Sequence, residues 1–94
     1  MFVLHIELTV EHDQQKGVEK SYLEDFRPAI SVQEGFEAVE LLRSNEDETS
    51  YRLCLTFDRQ TSQQKWVATD LHQKVWPAIE CQCVKFSVGG YSAV

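Results

Sequence analysis

Residues Phe2–Val10 alternate without a break, with Phe2, Leu4, Ile6, Leu8 and Val10 on one side and Val3, His5, Glu7 and Thr9 on the other. A period of two belongs to a β-strand and not to a helix. One face of that strand is wholly apolar and has to be covered. The other mixes Val3 and Thr9 with His5 and Glu7, the pattern of a face that is partly buried rather than open to water. A chain of 94 residues has a single thin core with which to do this. It has no disulfide framework, so a partner subunit is a plausible source of further burial.

The rest of the chain supplies cover for the first face. After the polar loop "EHDQQKG", Val18, Tyr22, Phe26 and Ile30 recur every four residues with Leu23 alongside, and this predicts a helix over 18–32. Pro28 lacks the N–H that would bond to the carbonyl of Glu24, so a kink or a loosened last turn is expected there. Gly35 is expected to stop the helix as a left-handed cap. Strands follow over 36–43 and 51–57, joined by the turn-rich "SNEDETS". On the second of them Tyr51, Leu53, Leu55 and Phe57 share one face, and Arg52, Cys54 and Thr56 share the other.

A short helix over 61–68 contains Trp66. Thr69–Asp70 looks like a fresh N-cap for another helix over 71–80, short or bent at Pro77. A last strand is predicted over 81–88, and "GGYSAV" reads as a tail. The order β-α-β-β-α-β is that of an α+β, ferredoxin-like domain over residues 1–94. It has a four-stranded antiparallel sheet with its helices on one face. The other sheet face is left bare without being clearly polar, and a homodimer packed sheet to sheet would cover it.

Charge and cysteine usage narrow the function. The formal net charge is −6, which argues against nucleic-acid binding and against docking on anionic membranes. The run "FVLHIELTV" is too short and too alternating for a membrane span, and no basic leader precedes it, so a cytoplasmic protein is expected. Cys54, Cys81 and Cys83 form no zinc-like pattern and read as reduced structural thiols. Cys81 and Cys83 would share a face if both lie in the last strand.

Three stretches carry a family likeness: the helix leading into "QEGFEAVELLRS", the strand and helix of "YRLCLTFDRQTSQQKW", and "WVATDLHQKVWPAI". Together they resemble the antibiotic biosynthesis monooxygenase domain family of dimeric α/β barrel proteins, over essentially the whole chain. The resemblance implies a pocket between the helices and the sheet of each subunit. It also implies oxidation of phenols or quinols by molecular oxygen with no metal or flavin. Such chemistry is reasonable, because a phenolate or enolate is electron-rich enough to reduce oxygen itself. The protein has to remove a proton, exclude water and stabilise the anion. Relatives that open haem use an Asn, a Trp and a His. Here Trp66 matches the Trp, Trp76 stands where the haem-binding His would be, and the first strand has no Asn, which argues against haem degradation.

Within that frame His72 is the candidate base, since a histidine titrates near neutrality. Trp66 and Trp76 are candidate walls for a small aromatic ligand, with Arg52 and Tyr51 as candidate polar contacts. His72 and Trp76 are four residues apart and can share one helix edge. No cofactor and no metal is expected. Arg43 and Tyr22 are weaker candidates, His5 and Glu7 read as a polar feature of the dimer face, and His12 reads as solvated. A non-catalytic binding protein or an isomerase on the same fold remains as an alternative.

Overall fold

The computed structural model describes all 94 residues. Four strands, β1 (Phe2–Val10), β2 (Phe36–Arg43), β3 (Ser50–Phe57) and β4 (Cys83–Ser92), form one antiparallel sheet in the order β2-β3-β1-β4. Helices α1 (Gln15–Ser21), α2 (Arg27–Ser31), α3 (Gln60–Val67) and α4 (His72–Glu80) cover one face of it. This is the expected ferredoxin-like arrangement. No helix is long and apolar enough to cross a membrane.

The core lies where the alternation of β1 places it. Ile6, Leu8 and Val10 are buried with Leu53, Leu55 and Phe57 of β3, under Val18, Phe26, Ile30, Trp66 and Ile79 of the helices. The strand register sets Ile6 opposite Leu53 and Leu4 opposite Leu55, so the apolar residues of both strands line up on that side. The opposite sheet face carries Val3, His5, Glu7 and Thr9 beside Arg52, Cys54 and Thr56, with no helix over it.

The first helix starts at Gln15, three residues before the expected Val18, and Gly17 lies inside it rather than in a loop. A Cβ on Gly17 would sit 2.0 Å from Oε1 of Gln82, so the missing side chain is what lets Gln82 lie against the helix. Between α1 and α2 the backbone widens into a π-helical turn, Tyr22–Phe26. The N–H of Arg27 there reaches back five residues to the carbonyl of Tyr22. The helix loosens here, just before Pro28, and not in its last turn, where Arg27–Ser31 is regular α-helix. The π-helical turn also explains the strict four-residue spacing. In an α-helix of 3.6 residues per turn, each step of four drifts by about 40°. A wider turn corrects the drift, and Val18, Tyr22, Phe26 and Ile30 are all buried.

The helix ends at Ser31, and Gly35 takes its positive φ of 80° in the turn into β2 rather than as the helix cap. A Cβ there would meet Asp58 Oδ1 at 2.4 Å and Ser62 Oγ at 2.5 Å. The tyrosine tail expected after residue 88 is instead strand. Gly89, Gly90, Tyr91 and Ser92 continue β4 along β1, opposite His5, Leu4, Val3 and Phe2. Glycines are poor strand formers, but β1 offers an unpaired edge along its full length, and the pairing outweighs the local preference. Tyr91 also packs its ring on His5 at 4.9 Å. At the other end, β4 begins at Cys83. Cys81 is the C-cap of α4, so the two cysteines do not share a strand face as expected.

Candidate functional site

The site is built around the break between α3 and α4. The hydroxyl of Thr69 donates to the carbonyl of Trp66 at 2.7 Å and accepts from the N–H of His72 at 3.1 Å. One side chain thus closes α3 and opens α4, satisfying groups that a helix end leaves free. The expected cap at Thr69–Asp70 is therefore made by Thr69. It brings the ring of His72 edge-on to that of Trp66, centroids 5.1 Å apart at 86°. Helix α4 then runs on through Pro77 to Glu80 without interruption. Trp76, one turn beyond His72, packs edge-to-face on Phe86 of β4 at 5.2 Å.

These residues line a partly open cavity of about 200 Å³ between the helix pair and the sheet. Leu4, Ile6 and Leu55 form its floor, and Phe26, Trp66 and Trp76 its walls. Phe86 and Val88 border it where β4 runs out from under the helices, and they remain half exposed. Its only polar lining residues are Gln63, His72 and the indole groups, and His72 is the one side chain there that titrates. Burial lowers the pKa of His72 below its ordinary value and so favours the neutral ring. The indole N–H of Trp66 is buried and has no acceptor within the chain. A buried donor left unpaired is costly.

Trp66, Trp76 and His72 are therefore gathered in one place. Arg52 and Tyr51 are not. They are neighbours on β3, and strand alternation sends them to opposite faces. Tyr51 is buried on the helix side, its hydroxyl donating to Glu19 Oε2 at 2.5 Å, and its pKa is raised by burial and then by Glu19. Arg43 reaches the same Glu19 oxygen at 3.3 Å. Arg52 lies on the bare sheet face and pairs with Glu7 Oε1 at 2.5 Å. Both Arg52 and Tyr51 border an open recess of about 620 Å³ toward the hairpin end of the sheet, and neither lines the Trp66 cavity. His5 packs at a tilt against Tyr91 while Glu7 takes Arg52, so the two do not pair with each other. His12 is exposed beside Asp13.

Phe26, Phe86 and Thr69 belong to the site but were not singled out for it from the sequence. Phe26 read as core, which it also is, and Phe86 read as one apolar position of a strand. For Thr69 the signal was present in its capping position ahead of the histidine.

The family model for antibiotic biosynthesis monooxygenases matches residues 1–76. Among solved structures, the chain is similar to SnoaB, a cofactor-independent oxygenase from Streptomyces nogalater. The TM-score is 0.89 at 17% identity, covering 99% of this chain and 92% of that one. A conserved protein from Methanosarcina mazei Go1 superposes with a TM-score of 0.87 at 10% identity, covering 96% and 89%. No protein of curated function matches the chain by sequence. At these identities the superpositions establish the fold. The family match, spanning most of the chain and including Trp66, His72 and Trp76, shows that the chain belongs to the antibiotic biosynthesis monooxygenase family.

Proposed function

We propose that this chain is a cofactor-independent monooxygenase for a compact phenol or quinol of one or two rings. One observation carries the reading: an apolar, aromatic-walled cavity whose sole titratable side chain is His72. The cavity's volume of about 200 Å³ sets the size class, since an apolar cavity of about 150 Å³ already holds benzene. The name of the similar SnoaB, a cofactor-independent oxygenase, supports the reaction type.

In this reaction the ring is held between Trp66 and Trp76 with its oxygen toward His72, the group that controls its ionisation. An electron-rich ring carbon ortho or para to that oxygen, one that carries a hydrogen, bonds to dioxygen. The O–O bond then breaks as the carbon loses its C–H, leaving a carbonyl there, and the second oxygen atom leaves as water with that proton and the one from the substrate's own O–H. Dioxygen supplies both oxygen atoms and takes all the electrons. The apolar walls keep bulk water from the intermediate.

Two further elements complete the proposal. The bare sheet face packs against that of a second copy, and the chain works as a homodimer in the cytoplasm, a setting in keeping with its three free thiols. The test is oxygen uptake with simple naphthols and quinols, comparing wild type with His72→Ala. A loss of rate of tenfold or more is expected, and equal rates would remove His72 from the mechanism. Binding without oxygen uptake would make the chain a binding protein of the same fold.

A further inference from the structure

Gln73 stands next to His72 in the first turn of α4, and its side-chain amide is held from two sides. The amide nitrogen lies 2.9 Å from the carbonyl oxygen of Val67 and 3.1 Å from Nδ1 of His72. A carbonyl oxygen can only accept, so the atom facing Val67 has to be the NH2 group and not the amide oxygen. The same NH2 has a second hydrogen and no capacity to accept. Nδ1 of His72 is therefore the acceptor of that pair. In a neutral imidazole, an accepting Nδ1 places the proton on Nε2.

We infer that Gln73 is a positioning residue that holds His72 as the neutral Nε2–H tautomer, so that the cavity selects a ring bearing an acceptor oxygen (a ketone, quinone or phenolate) over a plain hydrocarbon. This rests on the small-ring reading above and gives the direction of proton control. In the resting chain His72 donates to the ligand's oxygen and does not take its proton. Protonating His72 would set an Nδ1–H against the Gln73 N–H, a repulsion that adds to the effect of burial.

The experiment has a ligand-free arm and a binding arm. In the first, long-range proton–nitrogen correlation spectra of the histidine rings are recorded on nitrogen-15-labelled protein at pH 7.5, with His72→Gln assigning the His72 signals. Wild type should show a single Nε2–H tautomer for His72. Gln73→Leu should relax it to a mixture, and Gln73→Glu, whose carboxylate accepts, should move the proton to Nδ1. A wild-type ring protonated on Nδ1, or spectra unmoved by both variants, would overturn the tautomer assignment. In the second arm, calorimetry compares the bicyclic ketone 1-tetralone with its parent hydrocarbon tetralin. Wild type should prefer the ketone about tenfold, and Gln73→Glu should erase the preference while leaving tetralin affinity within about twofold. A preference that survives the tautomer switch overturns the selectivity. Failure of both probes to bind wild type overturns the small-ring reading and the selectivity with it, while the spectra still judge the tautomer alone.

Discussion

The ring of His72 meets the ring of Trp66 edge-to-face at 5.1 Å across the break between two helices, and Thr69 holds the break closed from both sides. The candidate polar group and the largest fully buried side chain are thus one rigid unit. Changes at Trp66 should be felt in stability and at the cavity together.

Trp66→Ala should cost about 3–5 kcal/mol of unfolding free energy, the range for emptying a large aromatic site. Set against a typical total of about 5–15 kcal/mol, that leaves little margin. Trp66→Phe keeps most of the packing against Phe26 and removes the unpaired N–H, and it should cost less than half as much. Urea unfolding of the two variants checks this. Equal losses would mean that packing volume is not what Trp66 supplies.

Stability should fall as the pH drops from 7 toward 5. His72 has a lowered pKa in the folded chain, so in that window the unfolded chain binds more protons than the folded one. The contribution is fully present above the unfolded value of about 6.5 and is lost as pH falls toward the folded pKa. The carboxyls of Asp47 and Asp58 are also held low, by hydrogen bonds from Thr49 and Ser62, but they act below that window. Thermal unfolding of wild type and His72→Gln across pH 5–7.5 should show a shallower slope in the variant. Parallel slopes would assign the effect elsewhere.

Gly35→Ala should destabilise by about 1–3 kcal/mol, since a non-glycine residue at positive φ is strained. The new methyl would also press on Asp58 and Ser62 at the start of α3. Denaturant midpoints measure it. An unchanged midpoint would show that the turn re-forms at negative φ.

In solution the mass by light scattering at micromolar concentration should be that of a dimer. Cys54 sits mid-sheet on the bare face, paired in register with His5 and Glu40. Cys54→Glu would bury an unpaired charge there and should yield a folded monomer. A wild-type monomer would leave the sheet face without the proposed partner.

Of the two thiols outside the bare sheet face, Cys83 should alkylate more slowly than Cys81. The pKa of Cys83 is pushed up to about 11, first by burial, so at pH 8 about one molecule in a thousand carries the thiolate. Cys81 is exposed and should react first. Mass spectrometry of iodoacetamide-labelled peptides over time gives the order, and early labelling of Cys83 would contradict its burial.

Where a residue's role follows from local periodicity, the sequence was a sufficient guide. The alternation of Phe2–Val10 and of Tyr51–Phe57 placed both strands and their buried faces. The four-residue spacing from Val18 to Ile30 found the helix and its inner stripe, and Thr69 marked the second helix. From Trp66, His72 and Trp76, ten residues of chain indicated a cluster that the fold does assemble.

What escaped the sequence depends on neighbours distant in the chain. The extension of β4 through two glycines follows from the free edge of β1, some eighty residues earlier in the sequence. Arg52 and Tyr51 could be named as polar candidates, yet which recess each borders depended on strands pairing around them. The tautomer of His72 rests on a carbonyl six residues before Gln73, brought back by the turn between α3 and α4. The sequence by itself determined the elements and their apolar faces, because those obey short-range stereochemistry. Only the tertiary structure decided which side chains share a cavity and which hydrogen each one presents, because those depend on atoms that meet only when the sheet and helices close around them.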